Sequence, residues 1–223
     1  MATETIRTCD EHELFSGDRC PACETRGTQL LSGERRRQLS KYMSGALRHF
    51  PEDAGLDLDE RGWTDYDALV AAVDEKYGWA DESHVEGVIA TDPKGRFERT
   101  DADDDGKNGR VRAAYGHSVG VTLEPSEAPV PDELFHGTAP KDVGSIRNEG
   151  LRPMSRQQVH LSADRKTAVS VGRRHADDPI VFAVDAAAML ADGHRIAKRG
   201  SQTYTTDRVP PDYLERVSDD PNS

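Results

Sequence analysis

Pro125-Ser126-Glu127-Ala128-Pro129-Val130-Pro131, followed almost at once by Leu134-Phe135-His136, is the stretch that decides how this chain is organised. Its prolines remove backbone donors and hold the chain extended, as in a linker rather than an element interior. Beyond it, short strands and helices mix. Leu134-Phe135-His136 and Gln158 to Leu161 read as strands, Lys141 to Asn148 as a helix stopped by Gly150, Thr167 to Arg174 as a helix, and the apolar run Ile180 to Val184 as a buried strand. Before the linker, helical periodicity dominates.

From Glu34 to Phe50 the apolar Leu39, Met43, Ala46 and Leu47 recur at helical spacing, and Pro51 stops the run. Arg48 and His49 then fall in the last turn, where the helix dipole favours cations. Thr64 is expected to cap a second helix running to about Lys76, and Ser83 a third through Ala90. Arg96 to Arg99 and Arg110 to Ala113 read as a strand pair. Three helices and a hairpin predict a winged-helix lobe, and the chain as a whole is expected to be α+β. The expected division is a metal-binding segment over 1–33, the winged-helix lobe over 34–124, an α+β lobe over 125–217 and a disordered tail over 218–223.

The 223 residues carry 41 acids against 29 bases, a net charge of −12. The bias is specific: 25 Asp to 16 Glu, and 7 Lys to 22 Arg. An Asp-rich, Lys-poor surface keeps its hydration in concentrated salt, which predicts a high-salt cytoplasm. Taken whole, −12 argues against a polyanionic partner. Partitioned, it does not. Residues 51–110 carry −11, residues 34–50 carry +4 and residues 111–223 only −2, so a basic helix and a nearly neutral second half remain open to an anion.

No apolar run approaches the ~20 residues of a membrane span, and no repeat is present. A soluble cytoplasmic monomer is expected. The three cysteines all precede residue 24 and cannot build a disulfide framework. Cys9, His12, Cys20 and Cys23 instead form a C-x2-H…C-x2-C constellation, whose two close pairs suit a closed tetrahedral Zn²⁺ of structural type, a small zinc-ribbon-like segment. Asp101, Asp103, Asp105 and Gly106 mimic a calcium loop, but its twelfth position, a Glu in such loops, is Arg112, so calcium is not expected.

Seven segments in order resemble the RNA 2′-phosphotransferase family. They are Leu39-Ser40-Lys41…Leu47-Arg48-His49, Gly55-Leu56-Asp57-Leu58-Asp59…Gly62-Trp63, Arg112-Ala113…Gly116-His117-Ser118, Leu134-Phe135-His136-Gly137-Thr138, Val159-His160-Leu161-Ser162, Val171-Gly172-Arg173-Arg174-His175 and Val209-Pro210-Pro211…Tyr213-Leu214. The resemblance implies a winged-helix lobe followed by an ADP-ribosyltransferase-like lobe. It implies an NAD-dependent transferase that removes a 2′-phosphate from RNA of the tRNA splice-junction type, giving nicotinamide and ADP-ribose 1″,2″-cyclic phosphate.

By the same resemblance Arg48, His49, Arg112 and Arg174 grip the phosphate in the cleft between the lobes, with Arg173 and Arg156 as neighbours able to share the part of Arg174. A dianion calls for several guanidinium forks rather than one mobile ammonium. His49 is the expected general acid–base or phosphate donor. His136, Gly137 and Thr138, with His160, Leu161 and Ser162, are implied to build the NAD site, glycine admitting the dinucleotide closely and the polar groups bonding ribose and amide. Ser201 to Asp207 departs from the family, where Asn-Gly-Val-Trp-Leu is more usual.

Two other readings compete: ADP-ribosyl transfer to protein or nucleic-acid ends, and a non-catalytic zinc/winged-helix nucleic-acid-binding module. The first lacks a late glutamate of the type that protein-modifying transferases use, and the second leaves the His and Arg motifs after the linker without a task.

Overall fold

The computed structural model describes residues 4–100, 109–124 and 126–217. The Asp101 to Gly106 loop, Pro125 of the linker and the tail from Ser218 lie outside the described residues. The chain splits into two compact units, Met1–Leu123 and Glu124–Ser223. Both mix helices with sheets, as an α+β protein should.

The first unit opens with an antiparallel sheet, β1 (Ile6–Thr8), β2 (Leu14–Ser16) and β3 (Thr28–Leu31), in the order β2-β1-β3. Helix α1 (Gly33–Ala46) starts at Ser32, whose hydroxyl accepts from the Arg35 N–H. The helix ends earlier than the apolar spacing predicts. The N–H groups of Arg48, His49 and Phe50 all converge on the Gly45 carbonyl, at 3.2, 2.8 and 3.2 Å, which winds the chain into a tight turn. Arg48 and His49 therefore sit beyond the helix, and tertiary contacts rather than the dipole hold them.

Two caps also differ from expectation. Thr64 belongs to a short strand, β4 (Thr64–Asp65), paired with Val111, and Asp65 takes the cap position of α2 (Tyr66–Tyr77). Asp81, not Ser83, caps α3 (Glu82–Ala90): its carboxylate accepts from the His84 N–H at 3.2 Å and from the Ser83 hydroxyl at 2.6 Å. Both residues are good caps, and the one a step earlier wins because it satisfies two donors. Strands β5 (Phe97–Arg99) and β6 (Arg110–Ala113) complete a sheet ordered β4-β6-β5.

One core joins these parts. Leu39, Met43 and Leu47 of the α1 region, Leu69 and Val73 of α2, and Val85 and Val88 of α3 are buried with Val111 and with Ile6 and Leu31 of the N-terminal sheet. Each such side chain contributes roughly 2 kcal/mol. Arg36 pins the junction: its guanidinium donates to the Glu4 carbonyl at 3.1 Å, the Ser16 hydroxyl at 2.5 Å and the Thr91 carbonyl at 2.5 Å.

The second unit is a six-stranded antiparallel sheet. Its strands are β7 (Glu133–Thr138), β8 (Val159–Ser162), β9 (Ile180–Asp185), β10 (Ala197–Lys198), β11 (Thr203–Thr206) and β12 (Leu214–Arg216), in the order β10-β11-β8-β7-β9-β12. Helices α4 (Val143–Glu149), α5 (Arg165–Gly172) and α6 (Ala186–Ala191) connect them. Leu134, Val159, Leu161, Phe182, Val184 and Met189 lie in its core. Helix α5 crosses β7 almost backbone to backbone: a Cβ added at Gly137 would stand 2.0 Å from the Ala168 carbonyl oxygen.

Candidate functional site

In the first unit, two of the buried arginines, Arg48 and Arg112, each lie against an aromatic ring. Arg48, 9% exposed, lies over the Tyr115 ring at 4.8 Å, and Arg112, 8% exposed, over the Trp63 ring at 4.5 Å. Stacking leaves the edge of the guanidinium for hydrogen bonds while its face is covered. Arg112 is held further. Glu98 accepts from its Nε at 2.7 Å and lies 2.6 Å from Nη2, and the Arg61 carbonyl accepts from Nη1 at 3.1 Å.

The loop after β6 closes this corner. Its Ser118 N–H donates to the Arg48 carbonyl at 3.0 Å, and the Ser118 hydroxyl lies 3.3 Å from the same carbonyl and 3.0 Å from His49 Nδ1. With the hydroxyl hydrogen on the carbonyl, His49 carries its proton on Nδ1, and Nε2 is the basic nitrogen. His117, only 2% exposed, lies inside the corner. Burial above all, then the charges of Arg48, Arg112 and His49, push its imidazolium pKa down to about 4, so the ring is neutral near pH 7.

In the second unit, His136 Nδ1 lies 3.0 Å from the His160 carbonyl, and His160 Nδ1 lies 3.0 Å from the Gln158 carbonyl. A carbonyl can only accept, so both rings carry their proton on Nδ1 and present Nε2 as an acceptor. Burial, with a smaller contribution from His175, lowers the His136 pKa and keeps the ring uncharged. Thr138 and Ser162 are 7% and 8% exposed.

Two residues expected at the NAD site also serve the packing of this unit. Leu161 is 2% exposed within the hydrophobic core, so its side chain is packing, not lining. The space at Gly137 is taken by α5, with the Gly172 nitrogen 3.1 Å from its would-be Cβ, so the missing side chain admits the helix. Register adds a division: Phe135 pairs with Ser162, so alternation puts His160 and Ser162 on one face and His136 and Thr138 on the other. Arg173 is the C-cap of α5, and Arg174 lies exposed in the turn beyond, its N–H on the Val171 carbonyl at 3.1 Å.

Near the N-terminus, the ligand atoms of Cys9, His12, Cys20 and Cys23 lie within 4.8 Å of one another. Cys9 Sγ is 3.5 Å from Cys23 Sγ and 3.8 Å from His12 Nδ1, and no disulfide joins the cysteines. Hydrogen bonds from the Glu11 backbone, Thr25 and His12 pull the Cys9 thiol down to about 6, toward the thiolate that metal coordination uses.

A family model described as RNA 2′-phosphotransferase, Tpt1 / KptA family, matches residues 34–208. The chain belongs to this family. A probable RNA 2′-phosphotransferase of Haloarcula marismortui is 60% identical over 215 residues, spanning 95% of this chain and 97% of the relative. The probable RNA 2′-phosphotransferase 2 of Archaeoglobus fulgidus is 41% identical over 91% of this chain and 90% of its own length. A probable RNA 2′-phosphotransferase of Agrobacterium fabrum is 46% identical over 81% of this chain and 94% of its own length. As a member of the RNA 2′-phosphotransferase family the chain is a transferase enzyme.

The family span starts at residue 34, so the Cys/His cluster lies outside it. Within it, the resemblance located Arg48, His49 and Arg112 but not what fixes them. Trp63, Tyr115, Glu98 and Ser118 act through contacts between residues 14 to 69 positions apart, which no local spacing announces. Among the described residues no helix is long and apolar enough to cross a membrane.

Proposed function

We propose that this chain removes an internal 2′-phosphate from RNA, of the kind left at a tRNA splice junction, by transferring it to NAD as co-substrate. The observation that carries the reading is the pair of buried, ring-stacked arginines, Arg48 and Arg112, in a member of the RNA 2′-phosphotransferase family. Two guanidinium groups held by ring stacking, one of them oriented further by Glu98, suit a dianionic ligand better than a mobile ammonium would.

In the first step the RNA 2′-phosphate attacks C1″ of the nicotinamide ribose, nicotinamide leaves, and an ADP-ribosylated phosphate remains. The centre passes through an oxocarbenium-like state whose positive charge the attacking phosphate itself offsets. In the second step the ribose 2″-hydroxyl attacks phosphorus, and RNA departs with a free 2′-hydroxyl, leaving ADP-ribose 1″,2″-cyclic phosphate. Charge gathers on the equatorial oxygens, where Arg48, Arg112 and Arg174 donate. His49, with Nδ1 occupied by Ser118, offers Nε2 for proton transfer. His136, Thr138, His160 and Ser162 are assigned to NAD, their acceptor nitrogens and hydroxyls suited to sugar hydroxyls and a carboxamide.

The three helices with the β4-β6-β5 sheet support a winged-helix lobe, and the six-stranded sheet an ADP-ribosyltransferase-like lobe. Cys9, His12, Cys20 and Cys23 are proposed to hold a structural Zn²⁺. Their 3.5 and 3.8 Å separations match the edges of a tetrahedron of about 2.3 Å bonds, and four protein ligands leave no position for substrate. Metal analysis of the purified protein checks this, with about one zinc per chain expected and none after Cys20→Ser. The acidic coat is read as suiting a high-salt cytoplasm.

The deciding assay incubates the protein with NAD and an RNA bearing one internal 2′-phosphate. Release of nicotinamide and the cyclic phosphate, absent with the 2′-hydroxyl RNA, is the expected result. A folded protein that leaves both RNAs untouched, or that releases nicotinamide equally with each, refutes the reading.

A further inference from the structure

His117 does not fit an ordinary interior. It is 2% exposed, and neither ring nitrogen has a hydrogen-bond partner among the described residues. A buried polar group left so costs free energy that a native structure ordinarily recovers elsewhere. The site around it is not apolar. Arg48 and His49 face it from the turn after α1, Arg112 from β6, with Glu98 of β5 behind Arg112 and the Tyr115 ring beside Arg48. On the remaining side lies Gly62, at φ +79°, where an added Cβ would stand 3.3 Å from His117 Nε2 and 3.5 Å from a Val121 methyl. Gly62 thus sets no side chain against Nε2, and both ring nitrogens are shielded from solvent beside the charges of Arg48 and Arg112.

We propose that His117 is a proton-accepting ligand of the phosphate in this corner: when a dianion binds beside Arg48 and Arg112, the imidazole takes one proton from solvent and donates it as a hydrogen bond to a phosphate oxygen. The proposal rests on the reading that this corner receives the 2′-phosphate. The step balances simply. One N–H bond forms at the expense of a solvent hydronium or buffer acid, no other bond changes, and the proton returns to solvent when the anion leaves. Without a bound anion, burial and the charges of Arg48 and Arg112, joined by His49 when it is protonated, oppose protonation, in agreement with the lowered pKa. A bound dianion reverses the sign of the local field, so anion and proton bind cooperatively. His117 thereby adjusts the charge of the site to its occupant: neutral when empty, one more positive charge when filled.

Calorimetric titration of the whole protein at constant ionic strength tests this, using sodium sulfate, whose charge does not change over the range used. Titrations near pH 6 in two buffers of different ionisation enthalpy give the protons bound per sulfate. Wild type should take up close to one proton, and its affinity should rise by up to about tenfold per pH unit as pH falls from 7 to 5. His117→Gln should lose the uptake and the pH slope while still binding sulfate more weakly, and His49→Gln should keep both. Uptake that disappears in His49→Gln and survives in His117→Gln assigns the proton to His49 and overturns the proposal. Sulfate binding by wild type without proton uptake overturns it as well, as expected if ordered water satisfies the ring.

If His117→Gln does not fold, ¹⁵N resonances of the assigned His117 ring in wild type decide. They should move from the neutral to the doubly protonated pattern on adding sulfate, and a ring that stays neutral at saturation refutes the idea. A parallel titration with 2′-phosphorylated and 2′-hydroxyl RNA separates the two levels. Equal affinity for both RNAs removes the functional reading itself, whereas a preference for the phosphate with no His117 protonation removes only this inference.

Discussion

The polar corner of the first unit and the His136–His160 pair of the second are built by opposite means. The corner uses permanent charges, Arg48 and Arg112, and fixes them by pressing their faces onto Tyr115 and Trp63 and bonding Arg112 to Glu98 and to the Arg61 carbonyl. The pair uses neutral rings, each oriented by a proton given to a backbone carbonyl. A dianion is held by charge at fixed positions, since a mobile cation would lose entropy on binding. On the proposed assignment of this pair to NAD, sugar hydroxyls and an amide are held by direction, and a charged ring would repel the cationic nicotinamide. The contrast also decides where glycine is spent: beside a buried imidazole at Gly62 in one unit, beneath a helix at Gly137 in the other.

The sharpest way to break this comparison is to keep the charge of the corner and remove its geometry. Arg112→Lys retains a cation but not the fork that Glu98 and Arg61 orient. Turnover measured as nicotinamide release should fall by about 10²- to 10³-fold, with the melting temperature little changed. Near-normal turnover would show that charge alone suffices. In the second unit the equivalent lever is packing. Gly137→Ala drives a methyl into the Ala168 carbonyl, and urea unfolding should show a loss of about 3 kcal/mol or more. An unaffected midpoint would mean that α5 is not seated on β7.

The third effect depends on pH. His117 has a native pKa near 4, below the roughly 6.5 of an unfolded histidine, so the unfolded chain binds the extra proton. Its contribution to stability is full above pH 6.5 and is lost as pH falls toward 4, by roughly 3 kcal/mol across that window. Wild type should lose more stability than His117→Gln over this range, and parallel curves would contradict the buried neutral ring. The smallest effect is expected at Ser118→Ala, which frees His49 to turn. It should lower kcat by about tenfold, with little change in the KM for NAD.

Much of the fold was legible because it rests on local patterns. The spacing of Leu39, Met43 and Leu47 announced α1, and the apolar run at Ile180 announced β9. Helix ends were less legible, since Asp81 and Ser83 are both competent caps and only the three-dimensional bonds choose between them. The arginines of the corner were legible as motif positions. Their supports were not, because Ser118 reaches His49 across 69 positions and Glu98 reaches Arg112 through strand pairing. Leu161 and Gly137 show packing roles that the motif alone does not announce. Each sits inside a motif beside polar residues, and strand alternation together with helix packing turns the first into the core and the second under α5.

The buried guanidinium of Arg36 has a practical bearing on how much of this chain makes a usable protein. The region shared with the family begins two residues before it, at position 34, and a version cut to that boundary would look complete by alignment. Such a version would strip Ile6 and Leu31 from the interior and bare Gly87 where Leu30 now covers it. It would also take away two of the acceptors that satisfy Arg36, the Glu4 carbonyl and the Ser16 hydroxyl, leaving a cation facing an opened seam. Residues 4–33 are thus the lid on the helical lobe, and the homology boundary is not a cutting site.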